Sequence, residues 1–363
     1  MVYFDHNATT PIDERVLQAM LPFLSDFYGN PSGLYKLARL SRSAIDTARE
    51  QVAQLVNARP EQVVFTSGGT EANNLALKGC SADAKILSSA FEHPSVLQSV
   101  TASDLVAINT QGYIDRIDLM QANKQVDLVS LMLVNNETGV IQDIALLAEI
   151  AKQHGALMHT DAVQAAGKIP VDFKALGIDL MSLSSHKIYG PKGAGALIAA
   201  SELLKTPLLT GGGQEAGLRA GTENVAAIVG FGKAAELAYT ELEQRQQHCL
   251  VLRERLEQQL SVLPEVQIFA QASERLANTL QFAVQQCSGE MLLMQLDHEG
   301  IAVSSGSACA SGSEEVSHVL TAMGIEKQVA KSAIRVSLGQ ANTAQEIDFF
   351  VQKLTQIILA NRV

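Results

Sequence analysis

Apolar positions along this chain follow two rhythms. From Leu37 onward, Leu40, Ala44, Ala48, Val52 and Leu55 recur at helical spacing and give one apolar stripe. A second stripe runs through 241–263, with Leu242, Cys249, Leu252, Leu256, Leu260 and Leu263 on one face. A third begins at Thr343, where Glu346 three residues on completes a capping box, and carries Ile347, Phe350, Val351, Leu354, Ile357 and Ile358. Between the first two stripes the rhythm changes to short apolar runs bounded by turn residues: 63–66, 85–91, 105–109, 128–134, 156–159, 180–183 and 194–199. Strands alternating with helices predict an α/β architecture, a mostly parallel sheet covered on both faces. Past residue 241 the runs 278–284, 301–304 and 333–338 mix with helices in an α+β pattern. The expected organisation is a large domain over 15–240 and a smaller α+β domain built from 1–14 and 241–363.

Bulk properties narrow the class. A chain of 363 residues with 47% hydrophobic and 18% charged content has enough apolar material for a sizeable core. A formal charge of −11 without any lysine- or arginine-rich run argues against nucleic-acid or anionic-membrane binding. No run of about 18 apolar residues is present to span a membrane. The opening MVYFDHNATTPIDE has neither a basic region nor an apolar signal core, so a cytoplasmic location is expected. Cys80, Cys249, Cys287 and Cys309 are irregularly spaced without a CxxC pair, which gives neither a disulfide framework nor a metal signature.

Candidate chemistry starts at 180–195, LMSLSSHKIYGPKGAG, where an apolar strand stops at Lys187 and a Gly/Pro-punctuated turn follows. A lysine leaving a packed strand at a crevice is partly desolvated. Its pKa falls and its amine is free to form a Schiff base with an aldehyde; a snorkelling surface lysine is the alternative. Asp161 ends the run that starts at Ala156, at the carboxyl edge where open α/β sheets bind ligands, or else it caps a helix. The two together suit pyridoxal phosphate, which needs a lysine for its aldehyde and an acid to keep its ring nitrogen protonated. Upstream, a strand runs into Gly68, Gly69 and Thr70 and then a helix. Unpaired N–H groups, the helix dipole and the Thr70 hydroxyl favour an anion there, although a plain tight turn fits as well. His93 follows the run 85–91 and could stack on a flat ring and shuttle protons, or serve structure alone. Asn136 and Gln164 could bond a ring oxygen and the Schiff base, or make turns.

Two further stretches stand out. In 304–313, SSGSACASGS, Cys309 sits among small residues with little to pack on, so an exposed, mobile and reactive thiol is expected; an incidental loop thiol is the alternative. Cys249, on its leucine stripe, reads as core. Arg335 is a lone guanidinium in a short strand and must face a carboxylate, either that of an amino-acid substrate or one of the chain's own.

Together these stretches resemble the cysteine desulfurases, a pyridoxal-phosphate-dependent branch of the class V aminotransferase superfamily. The resemblance runs through DHNATTP, GNPSG, TSGGTEANN, EHPSV, NNETG, TDAVQAAGK, SSHKIYGPKGAGAL, GGGQEAGLRAGTEN, SSGSACAS and IRVSLG, nearly the whole chain. SSGSAC marks the group that serves nitrogenase and general iron–sulfur cluster maturation. The resemblance implies fold type I, with a mostly parallel seven-stranded sheet and a smaller C-terminal domain. It implies Lys187 as the Schiff-base lysine, Asp161 as the pyridinium partner, His93 on the ring and Gln164 near the ring oxygen. Thr70, Ser184 and His186, beside Gly69, correspond to phosphate ligands. Thr222 corresponds to a phosphate ligand given to the other subunit of an obligate homodimer. Asn136 and Arg335 match substrate-carboxylate contacts, and Cys309 matches the nucleophile. The implied activity converts L-cysteine to L-alanine and leaves a persulfide on Cys309 for a sulfur-acceptor protein, such as an iron–sulfur scaffold.

Ala216 and Gln340 stand where many relatives carry arginine, and the chain ends soon after its last helix. These departures bear on loop docking and acceptor choice. Another class V aminotransferase or lyase would keep Lys187 and Asp161 without needing SSGSAC. A selenocysteine lyase and a non-enzymatic protein that merely keeps the fold are the other rivals.

Overall fold

The computed structural model describes residues 1–80, 84–100, 104–122, 126–305 and 316–361. In chain order the strands are β1 (Val2–Tyr3), β2 (Val63–Thr66), β3 (Ile86–Ser89), β4 (Leu105–Val106), β5 (Leu128–Ser130), β6 (Leu157–Asp161), β7 (Leu180–Ser184), β8 (Gly195–Ala199), β9 (Val266–Ile268), β10 (Thr279–Val284), β11 (Ile301–Ala302) and β12 (Ala333–Ser337). Seven of them form one sheet in the order β2-β8-β7-β6-β5-β3-β4. Within it β8 runs antiparallel to both neighbours, and every other pair is parallel. Every residue of β2, β5, β7 and β8 is buried. That is why these strands read as continuous apolar runs without polar alternation: helices cover both faces. Gly69–Gly79 packs on β7 and β8, while Lys36–Leu55 packs along Val225–Thr240. The runs 85–91 and 105–109 yield only Ile86–Ser89 and Leu105–Val106 as strand, because β4 is the edge and the chain beyond β3 turns toward the site.

A three-stranded antiparallel sheet, β12-β10-β9, forms the second centre. Helices Leu242–Ser261, Gly289–His298 and Ala344–Ala360 supply its apolar partners, including Leu252, Leu256, Leu292 and Leu354. The Phe350 ring meets Phe4 and Phe282 edge-on at 5.8 and 6.5 Å. The capping box expected at Thr343 is present: Glu346 N–H donates to Thr343 Oγ1 at 3.3 Å and Thr343 N–H to Glu346 Oε2 at 2.8 Å. The first residues belong here too. β1 pairs in parallel with β11, and Asp5 bridges to Ser337 on β12. Among the described residues no helix is long and apolar enough to cross a membrane.

Candidate active site

The carboxyl ends of β5, β6 and β7 open into a cavity of about 500 Å³, where a parallel α/β sheet leaves its strand ends free for a ligand. Gly69, Thr70, His93, Asn136, Asp161, Gln164, Ser184, His186, Lys187 and Arg335 all line it. Thr222 does not; it is exposed on the surface. Cys309 lies outside the described residues.

Lys187 closes the single turn Ser185–Lys187 that follows β7. Its amine donates to the backbone carbonyls of Asn7 and Ala8 at 2.6 and 2.8 Å. The segment carrying those carbonyls is itself tied to the turn, since Thr10 donates to the His186 carbonyl from both its N–H (3.0 Å) and its hydroxyl (2.9 Å). Tyr189, two residues on, has φ of 70°, a left-handed backbone that a non-glycine residue adopts only under tertiary constraint. The constraints are visible: its N–H donates to Thr10 Oγ1 at 2.9 Å, and its hydroxyl accepts from Gln340 N–H at 2.9 Å.

Asp161 ends β6, and no helix begins there, so the helix-cap alternative falls away. Its Oδ2 accepts from Asn73 Nδ2 at 2.8 Å and its Oδ1 from Val163 N–H at 2.9 Å. His93 has both a local and a cavity-side role available. It caps the turn Pro94–Leu97, with Nδ1 accepting from Ser95 N–H at 3.1 Å and meeting Ser95 Oγ at 2.7 Å. An accepting Nδ1 puts the neutral ring's proton on Nε2. Burial lowers the His93 pKa; Asp161 opposes that shift, while Lys187 and His318 reinforce it. His186 is pushed down to about 4, first by burial and then by Lys187.

The helix Gly69–Gly79 starts at the same cavity, where its first N–H groups have no intrahelical acceptors. The Ser184 hydroxyl is buried there with no partner among the described residues. A Cβ at Gly69 would come within 2.9 Å of Val163 Cγ2, and one at Gly195 within 2.6 Å of the Gly68 backbone, so both glycines are required by close approach. An orphaned hydroxyl, a helix N-terminus and a bonded carboxylate lining one cavity fit a flat ring bearing a phosphate and a basic nitrogen. Pyridoxal phosphate is such a group, and the residues present suit it.

Arg335 on β12 is only 1% exposed. Nη2 pairs with Asp5 Oδ1 at 2.6 Å and Nη1 donates to the Asn136 carbonyl at 3.0 Å, while Nε has no partner among the described residues. The carboxylate it faces within the chain is therefore Asp5. Sequence reasoning assigned no role to Asn7, Ala8, Asn73 or His318, all of which line the cavity. Asn7 and Ala8 act through backbone carbonyls, which no side-chain pattern reveals. Asn73 had a signal: it lies four residues after Gly69, on the same helical face.

The sequence profile of the family described as Aminotransferase class-V matches residues 2–350. A cysteine desulfurase IscS of Methanosarcina thermophila is 40% identical over 370 residues, covering 98% of this chain and 92% of its own length. The cysteine desulfurase IscS of Dictyoglomus turgidum is 41% identical over 371 residues, covering 98% of this chain and 94% of its own. Among solved structures, a NifS-like protein from Rickettsia africae superposes with a TM-score of 0.92 at 38% identity, over 98% of this chain and 99% of its own. SspA in complex with cysteine superposes with a TM-score of 0.82 at 32% identity, over 94% of this chain and 100% of its own.

Proposed function

This chain belongs to the class V aminotransferase family and, within it, to the cysteine desulfurases, and we propose that Lys187, Asp161, His93 and Cys309 carry its chemistry. The enzyme converts L-cysteine to L-alanine with pyridoxal 5′-phosphate as its cofactor. When bound, that cofactor supplies an aldehyde that captures amines and a ring that takes up electrons. Asp161, oriented by Asn73 and the Val163 amide, would hold the proton on the ring nitrogen. Gly69, Thr70, Ser184 and His186 would hold the phosphate, Gln164 would bond the ring oxygen, and His93, with its proton at Nε2, would stack on the ring. Lys187 takes and returns the proton at the substrate's Cα. Asn136 and Arg335 hold the substrate carboxylate, Arg335 with an Nε that has no acceptor among the described residues. The Cys309 thiolate attacks the substrate's sulfur. The S–S bond forms as the C–S bond breaks, and the carbon's electron pair and a proton end on Cβ, so L-alanine leaves and a persulfide stays on Cys309.

The observation that carries this reading is the convergence of Lys187, Asp161, His93 and an unpartnered Ser184 hydroxyl on one cavity. In this reading Thr222, exposed on the surface, reaches the site of a second copy, and the working unit is a homodimer. The persulfide passes to an acceptor protein, such as an iron–sulfur scaffold, in the cytoplasm. The separate apolar cluster around Phe4, Leu256, Phe282 and Phe350 supports a division into 15–240 and 1–14 with 241–363, although Val319 and Met323 pack with the larger cluster. Borohydride reduction of the cofactor-loaded enzyme, followed by peptide mapping, tests the assignment. The label should fall on Lys187, and Cys309→Ser should lose sulfide release from cysteine while keeping the visible band. A label elsewhere, or full sulfide release from the variant, overturns it.

A further inference from the structure

Lys168 has no part in that chemistry, yet it stands at the centre of the polar contacts around Lys187. Its amine donates to Gln164 Oε1 at 2.7 Å and to Asn7 Oδ1 at 2.9 Å. The far end of each amide is constrained independently. Gln164 Nε2 donates to the Asn7 backbone carbonyl at 2.9 Å, and Asn7 Nδ2 donates to the Asn136 carbonyl at 3.2 Å. A carbonyl only accepts, so both amides must turn their NH₂ groups to these oxygens and their own oxygens to Lys168. Asn278 Nδ2 adds a second donor to Asn7 Oδ1 at 3.1 Å. The same Asn7 carbonyl receives the Lys187 amine at 2.6 Å. The two lysines thus grip one asparagine, one by its side chain and the other by its backbone.

A Gln164 NH₂ carries two hydrogens, and Asn7 takes one; the second is left for the cavity that Gln164 lines. Resting on the reading of Lys187 above, we propose that Lys168 is a positioning residue. By holding the amide oxygens of Gln164 and Asn7 it presents the Gln164 NH₂ as a donor to the cofactor's ring oxygen and sets the Asn7 carbonyl against Lys187. Burial, with Lys187 and then Arg335 nearby, pushes the Lys168 pKa well below that of an ordinary lysine. Protonated or neutral, the amine has enough hydrogens for both contacts. Other titratable groups facing the two lysines are His93 and His186 beside Lys187, and His6, His186 and Cys249 beside Lys168.

The test is a pH titration of the cofactor's visible band in the loaded enzyme. A donor on the ring oxygen favours the deprotonated form of the chromophore, so losing it raises the midpoint. In Lys168→Met the midpoint should rise by about one pH unit, tenfold in proton affinity. Gln164→Leu should raise it similarly, and the double variant no further, because the lysine acts through the glutamine. A folded Lys168→Met with an unmoved midpoint overturns the proposal, as does a shift that adds in full to that of Gln164→Leu. Lys168→Gln, neutral and similar in length, serves if the methionine variant does not fold: a raised midpoint supports the proposal and an unmoved one overturns it. Borohydride mapping separates the two levels. A label at residue 187 with an unmoved midpoint removes only this inference; a label elsewhere in the parent removes the reading beneath it.

Discussion

Arg335 and Asp5 are 330 residues apart in the chain, and their side chains meet at 2.6 Å. The pair joins β12 to the segment whose next residues cover Lys187, so a buried guanidinium is neutralised by a carboxylate from the opposite end of the sequence. Removing one partner of such a pair strands the other charge, at a cost of about 3 kcal/mol. Asp5→Ala should lower the urea midpoint accordingly without changing the slope, and Asp5→Asn should lose less because its amide oxygen keeps the contact. Equal midpoints for Asp5→Ala and the parent would show that the pair holds nothing.

Asp161 receives two donors, Asn73 Nδ2 and Val163 N–H. Asp161→Asn would set an NH₂ group against one of them and remove the anion that keeps a ring nitrogen protonated. Alanine formation from cysteine should fall by about 10²–10⁴. Asn73→Ala, which leaves the carboxylate but frees one oxygen, should cost no more than about tenfold, a small part of that range. Comparing the two kcat values checks the order; a larger loss in Asn73→Ala would reverse the roles.

Stability of the cofactor-free protein should pass through a maximum near pH 6.5. Burial pushes His6 and His159 from 6.5 down to about 4, so between those values the unfolded chain binds protons that the folded chain refuses. Stability therefore falls as the pH drops through that window. Glu92 behaves oppositely. Burial raises it from 4.5 to about 8, the folded state keeps a proton that the unfolded state releases, and stability falls as the pH rises toward 8. His159→Gln should flatten the acid limb by up to ~3 kcal/mol, and Glu92→Gln should flatten the alkaline one. Urea midpoints across pH 4.5–8.5 would show whether the limbs belong to these residues.

Thiol reactivity should separate Cys309 from the two buried cysteines. Burial pushes the Cys249 thiol up to about 11 and raises that of Cys80 as well, so neither supplies thiolate near neutrality. Brief iodoacetamide treatment of the native protein, read by mass spectrometry, should label Cys309 and leave Cys80 and Cys249 intact. Labelling of Cys249 ahead of Cys309 would contradict the assignment of the nucleophile.

The large sheet was legible because each buried strand is a short apolar run between turn residues, and a helix with a stripe on one face separates most of them. Lys187 and Asp161 were legible for the same reason, each standing where such a run ends. Gln164 and Asn136 were candidates only by residue type, since their meaning depends on which end of an amide faces which neighbour. Asn7 escaped notice altogether: its main contribution is a carbonyl oxygen, and its partners at 164, 168, 187 and 278 are distant in sequence. For Arg335 the sequence leaves two carboxylates open, the substrate's or one of the chain's own, and it is the bridge from Asp5 to Ser337 on β12 that brings Asp5 to it.

That early pairing has a consequence for synthesis. Residues 2–8 cannot take their places until the strands near 301 and 335 have left the ribosome. Until then the lysine at 187, though its own sheet can already have folded, lacks the two carbonyl oxygens that anchor it. The pocket is therefore completed only after the strand at 333–337 has emerged, and vitamin capture in its mature geometry waits for that segment.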